Sequence, residues 1–207
     1  MLSSARLMTT DLSLRCVCGK LRGTALAVSP SGGCRVVCYC DDCQAFARFL
    51  ARPGIMDEWG GTDIFQMAPS SLRITGGADV LSCLRLSAKG MHRWYCSECK
   101  TPVGNTMGPR MPFVGLFHSF MDHERDGRAL DDVLGKPIGY VRTKCAVGTL
   151  LAPVRDSSPL GVIARSVRLL GKWWLTGAGS PSPFFDDQTH APRTDPRILR
   201  PEERLAL

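Results

Sequence analysis

The chain has 207 residues, 44% of them hydrophobic and 22% charged, the make-up of a soluble globular protein with room for one ordinary domain plus extras. Its formal charge is +7, but the basic residues are spread along the chain without a long Lys/Arg block, so a solvated basic surface is expected and no nucleic-acid partner. No apolar run reaches the roughly 18 residues that a membrane span needs, and the opening MLSSARLMTTDL has no apolar core of signal-peptide length. The expected localisation is cytoplasmic.

In chain order, LSLRCVCGKLRGTALAV (12–28) reads as strand, a Gly-Lys break and strand, followed by an SPSGG turn. CRVVCYC reads as a strand running into a cysteine group, and Asp41 is placed to cap a short helix with Ala45, Phe46, Phe49 and Leu50 at helical spacing. Short apolar segments follow: TDIFQMA, SLRIT, VLSCLRLS and HRWYC. Turn residues separate most of them, which argues for an antiparallel, mostly β domain. CSECKTPVG is a tight knuckle before a strand. MPFVGLFHSFM is a further strand candidate, and DDVLGKPIGYV a loop or short helical turn.

After about residue 150 the character changes. Over 159–176 Ile163, Val167, Leu170 and Trp174 share one helical face, expected to dock on the chain's own domain, while Arg165, Arg168 and Lys172 share another. A membrane-surface contact of this segment is the less favoured alternative. The Pro-rich remainder should be extended or disordered unless it docks through Phe184 and Phe185. The expected division is a zinc domain over 12–150 and a helix with a Pro-rich tail over 151–207.

Ten cysteines carry the chemistry. They cluster as C-x-C at 16/18, C-x-C-x-x-C at 38/40/43 and C-x-x-C at 96/99, spacings that favour zinc over disulfides in a chain without an export signal. A closed structural site needs four thiolates, and Cys16, Cys18, Cys96 and Cys99 supply them from distant parts of the chain. Structural zinc contributes about 10–16 kcal/mol of apparent binding free energy, against about 5–15 kcal/mol for a whole domain. Cys38, Cys40 and Cys43 then remain as three ligands. Either the fourth position is open and the ion does chemistry, or Cys83, Cys34 or a histidine closes it. With seven thiolates on two zinc ions the formal charge falls from +7 to about +4. Cys34, Cys83 and Cys145 stand apart and are expected as small buried hydrophobes.

CVCGKLRG, CYCDDCQAF, LRITGGADVLSCLRLS and RWYCSECKTPVGN follow one another at the spacing of the glutathione-dependent formaldehyde-activating enzyme family, which includes the centromere protein V domain. The chain resembles that family over roughly 12–150. The resemblance implies an antiparallel β-tent over that span, and the basic amphipathic C-terminal segment is a helical extension beyond the family pattern. It implies a structural zinc on Cys16, Cys18, Cys96 and Cys99, and a catalytic zinc on Cys38, Cys40 and Cys43. It further implies a carbon–sulfur lyase acting on a thiol adduct of a small aldehyde, such as S-hydroxymethylglutathione. The competing reading is a non-catalytic zinc-stabilised interaction module. Two departures stand out: Lys100 replaces the usual knuckle glycine, and the segment after residue 107 is less like the formaldehyde-activating members.

Other polar residues are weaker candidates. Arg35, Arg48 and Arg52, close in sequence to the three-cysteine group, are candidates for holding an anionic substrate such as glutathione. His92, His118, His123 and His190 read as structural or exposed rather than as ligands or bases. Asp122 and Glu124 read as an exposed charged turn.

Overall fold

The computed structural model describes residues 9–125, 127–152, 154 and 160–207. The first eight residues, part of the stretch read above for an export signal, and Pro159, where the expected helix opens, lie outside them. The chain folds mostly as β structure in two sheets, with helices at its edges. Among the described residues no helix is long and apolar enough to cross a membrane.

The smaller sheet joins β1 (Thr10–Arg15), β2 (Arg22–Val28) and β5 (Leu72–Gly76) in the order β1-β2-β5, all antiparallel. The larger sheet is built on β3 (Cys34–Cys38), β4 (Thr62–Met67), β6 (Leu81–Arg85), β7 (His92–Cys96), β8 (Pro102–Thr106) and β9 (Val114–Phe117). Two short strands, β10 (Tyr140–Val141) and β11 (Arg197–Ile198), close its edges, giving the order β10-β3-β4-β9-β8-β7-β6-β11. The inner pairs are antiparallel, and both edge strands pair in parallel. Capping each edge of the sheet with a two-residue strand leaves little unpaired backbone there to template association.

Between the sheets lies a core that includes Leu12, Leu14, Phe65, Leu72, Trp94, Val103, Leu116 and Phe120. The C-terminal segment enters the same core. Phe184 stacks on Trp94 with ring centroids 4.9 Å apart, and Phe185 meets Trp94 edge-on at 5.7 Å. The tail therefore docks through the two phenylalanines, because they bury aromatic surface that no polar linker could offer. Beyond β11, helix α4 (Pro201–Leu205) returns to α1 (Asp41–Phe49): Arg204 donates to Asp42 at 2.9 Å, and Arg48 donates to the Leu207 carbonyl at 2.8 Å. A short helix, α2 (Leu130–Leu134), forms where the sequence reads as loop or helical turn.

Helix α3 (Leu160–Leu175) forms as expected, but a different face docks. Val162, Leu169 and Trp173 are buried against Cys34, Val36 and Ala68, with Leu170 partly buried. Ile163, Val167 and Trp174 are exposed, Trp174 by 77%. Polar contacts decide the rotation: Arg165 Nε donates to the Gly33 carbonyl at 2.8 Å, and Ser166 Oγ donates to Gln66 Oε1 at 2.8 Å. Both residues flank the buried stripe, so hydrogen bonds to the β3–β4 edge turn the helix away from its more apolar side. Periodicity locates a stripe but cannot choose between two adjacent apolar stripes. Trp173→Ala should cost about 3–5 kcal/mol in denaturant unfolding. Trp174→Ala, on the exposed face, should stay within about 0.5 kcal/mol of wild type. Equal losses would refute this orientation.

Candidate metal centre

Two hairpin tips bring the first cysteine group together. Cys16 and Cys18 sit in the β1–β2 turn, and Cys96 and Cys99 in the β7–β8 knuckle, so the group bridges the two sheets. All four Sγ atoms lie within 4.8 Å of one another. Cys16 and Cys18 are 3.3 Å apart, and Cys18 and Cys96 are 3.9 Å apart. Sulfurs about 2.3 Å from a tetrahedral zinc are about 3.8 Å apart, so the donor set fits that ion.

Backbone groups support the arrangement. The Leu21 amide donates to Cys16 Sγ at 3.3 Å, and the Cys99 thiol and Thr101 hydroxyl are 3.1 Å apart. The Val17 amide donates to Thr101 Oγ1 at 3.1 Å, and Lys20 pairs with Glu98 at 2.8 Å, so the two tips also touch outside the thiols. Burial pushes the Cys96 thiol up to about 12. At Cys99 burial acts upward too, but hydrogen bonds with Thr101 and Cys18 outweigh it and hold the thiol down to about 6.

Lys100, the departure from the knuckle glycine, keeps the turn a glycine would make. Its φ is +58°, in the left-handed region, and its ammonium lies 5.4 Å from the centre of the Tyr95 ring. A cation–π contact with a partly desolvated ring offsets part of the backbone strain.

The second group forms where β3 runs into α1. Cys38 ends the strand, Cys40 is the residue before the helix, and Cys43 lies in its first turn; their Sγ atoms are also within 4.8 Å of one another. Asp41 is thus not the cap: Cys40 holds that position, and Asp41 and Asp42 occupy the first turn, where carboxylates suit the positive helix end. Hydrogen bonds with Cys38 and Cys43 hold the Cys40 thiol far below the usual thiol range; the bond with Cys40 pushes Cys38 up, and the bonds with Cys38 and then Cys40 push Cys43 up.

Among the described residues no further Cys, His, Asp or Glu joins this group. Cys34 and Cys83 are buried elsewhere, as small hydrophobes should be. Instead the triad opens into a cavity of about 460 Å³. Its floor follows one register row of the large sheet: Arg93 opposite Asn105, Asn105 opposite Gly115, and Gly115 opposite Gln66. Its apolar walls include Val36, Ile64, Met107 and Phe113. Gly115 keeps the floor low, because a Cβ there would come within 2.8 Å of the Ile64 Cγ2 atom.

The charged groups differ from those expected. Arg35 is 7% exposed, on the opposite strand face, held by Asp63 at 2.7 Å and Asp131 at 2.6 Å. Arg48 is engaged with the Leu207 carbonyl and Gln44, and Arg52 with the Cys99 carbonyl. None of the three lines the cavity. Nearness in sequence failed because alternate strand residues face opposite ways and helix residues rotate away from the triad.

The residue the sequence reading missed is Arg93. It is 2% exposed, with Nη1 4.0 Å from Cys43 Sγ and 3.3 Å from Asn105 Oδ1, and Nη2 3.5 Å from Asp42. Its guanidinium also lies 5.5 Å from the centre of the Phe46 ring. An arginine inside the apolar run RWYC was the available signal, since a buried cation needs a partner. Cys145 was also misplaced: it is half-buried and lines the triad's cavity, its carbonyl accepting from Gln44 Nε2 at 2.7 Å.

Among the described residues no histidine joins either cysteine group or the cavity lining. His92 packs flat on Trp94 and edge-on to Phe185, and burial together with Arg85 lowers its pKa. His118 Nδ1 meets the Asp63 carbonyl at 3.3 Å and His123 Nδ1 the Arg128 carbonyl at 3.0 Å, while His190 is exposed. Asp122 and Glu124 are not part of the cavity either.

The sequence matches a family described as a family of unknown function, DUF6151, over residues 8–193. The chain belongs to the DUF6151 family. The match spans both cysteine groups, the cavity, α3 and the docked Phe184–Phe185 pair. No curated protein matches this DUF6151 chain. Among solved structures, a crystallised Rhodobacter sphaeroides protein is similar with a TM-score of 0.38 and 16% identity, over 57% of this chain and 96% of that one.

The unequal surroundings of the two groups give unequal expectations. Purified protein should carry close to two zinc ions per chain by elemental analysis. Cys96→Ser should abolish soluble folded protein, whereas Cys40→Ser should leave a folded chain lacking mainly one zinc. A Cys96→Ser protein as stable as wild type would overturn the structural role of the four-cysteine group.

Proposed function

We propose that this DUF6151 protein is a zinc-dependent carbon–sulfur lyase acting on a thiol adduct of a small aldehyde, S-hydroxymethylglutathione-like. In this reading the two sheets are a β-tent, Cys16, Cys18, Cys96 and Cys99 hold a structural zinc, and Cys38, Cys40 and Cys43 hold a catalytic one. The observation that carries the proposal is the triad's position: three clustered thiols, with no fourth ligand among the described residues, open into a cavity of about 460 Å³. Cavities of 300–1,000 Å³ are the usual size of small-molecule sites.

A zinc ion on three thiolates supplies a soft, weakly acidic position suited to a sulfur ligand more than to activating water. The protein's own residues do the rest. Arg93 sets a fixed positive charge beside Cys43 and limits the build-up of negative charge around the thiolates. Asp42 and Asn105 hold that guanidinium in place. Val36, Ile64 and Phe113 present apolar surface to the substrate and reduce the water around the reacting bond. In the cleavage direction the carbon–sulfur bond breaks, the hydroxyl carbon becomes a carbonyl, and the hydroxyl proton ends on the departing thiol. No oxidant or reductant is required.

The test is exchange between formaldehyde, glutathione and their adduct followed by NMR. Wild type should accelerate exchange, and Cys43→Ser should reduce the rate to the uncatalysed level while staying folded. Equal rates for the two proteins across several thiols would leave a non-catalytic zinc-stabilised interaction module as the better reading.

A further inference from the structure

The cavity over the triad is lined by two arginines in different states. Arg93 is buried and committed to Asp42, Asn105 and Cys43. Arg142 is exposed, and among the described residues no acidic group pairs with it. It immediately follows Val141, the β10 residue paired with Cys38, whose carbonyl accepts from the Tyr39 amide at 3.0 Å. The backbone of Arg142 is therefore fixed one residue from the triad's own strand. The other side of its loop is fixed too, because Gln44 of α1 donates to both the Tyr39 and Cys145 carbonyls.

Arg142 has φ +60° and ψ +33°, a left-handed conformation that residues bearing side chains rarely adopt. Such strain persists where the surroundings impose it, and it concentrates at ligand clamps. The charge balance points the same way. Three thiolates and a divalent ion carry one negative charge, and Asp42 is already taken by Arg93 and Arg204. Exposed Asp41 lines the same cavity from the first turn of α1 and disfavours an anion on the helix side. Among the described lining residues, the cation on the β10 side, with no acidic partner, is then where a second negative group is compensated.

We propose that Arg142 is the specificity residue of this cavity: it takes the carboxylate of a small thiol whose sulfur lies at the triad. The assignment rests on the zinc–thiol reading above and adds to it the substrate class, a carboxylate-bearing thiol or its aldehyde adduct. It also places anion recognition on a residue far in sequence from the triad, in contrast to Arg35, Arg48 and Arg52.

Calorimetric titration of the zinc-loaded full chain tests it, with 3-mercaptopropionate and 3-mercapto-1-propanol as probes matched in chain length. Wild type should bind the acid about tenfold more tightly, the scale of a charge-assisted hydrogen bond. Arg142→Gln should cut that preference below about threefold and leave the alcohol's affinity unchanged, and Arg142→Lys should restore most of it. Equal affinities of wild type for the two thiols would overturn the role of Arg142 and leave the zinc–thiol reading standing. Parallel weakening of both thiols by Arg142→Gln would also overturn it, showing a residue that only supports the loop. Absence of binding by either thiol, in protein carrying two zinc ions, would overturn both readings.

Discussion

Four thiols held within 4.8 Å of one another at the tips of two hairpins are the constraint on which this fold depends. The β1–β2 tip belongs to the small sheet and the β7–β8 tip to the large one, so the group fixes how the sheets approach each other. Without a cation, sulfurs at such spacing repel when ionised and gain little when protonated. The donor set thus makes sense as a metal site whose binding energy is folding energy. The core between the sheets, from Leu12 to Phe120, then fills a gap whose dimensions the cysteine group sets at one end.

The second group is assembled in a different way. Cys38, Cys40 and Cys43 come from a single strand–helix junction, so their geometry is local and does not join distant elements. Distant elements contribute the surroundings instead. Strand β7 brings Arg93, β8 brings Asn105, β9 keeps Gly115 bare, and the turn after β10 brings Arg142. The rigid sheet row beneath the triad gives a cavity of defined floor and charge, as a binding site needs. The C-terminal segment reaches the same neighbourhood: Arg204 bonds to Asp42, which also pairs with Arg93. The end of the chain thereby helps order the polar wall.

Most strands and both cysteine groups were legible in the sequence. Thiols at C-x-C and C-x-x-C spacing have few uses in one chain, and alternation broken by Gly and Pro marks short strands. The docking of Phe184 and Phe185 was legible as a condition, since two adjacent aromatics in a polar tail seek a core. Three features were not legible. The docked face of α3 carries hydrogen bonds of Arg165 and Ser166 to residues a hundred or more positions away. The charges of the cavity were decided by strand register, which put Arg93 beside Cys43 and turned Arg35 toward Asp63. The place of Cys145 was decided by the parallel pairing of β10 with β3.

The sequence by itself determined the donor atoms, their clustering at 16/18, 38/40/43 and 96/99, and the mostly β character of the chain. These follow from residue type and local spacing, which no packing can alter. Only the tertiary structure decided that the Cys16/Cys18 and Cys96/Cys99 pairs meet, that the triad faces a cavity, that Arg93 lies beside it while Arg35 turns away, and that Arg142 lines its wall with no acidic partner among the described residues. Such facts depend on which strand faces which and on which side of a helix turns inward. Those choices are settled by the sum of contacts between segments far apart in the chain, and no local pattern encodes that sum.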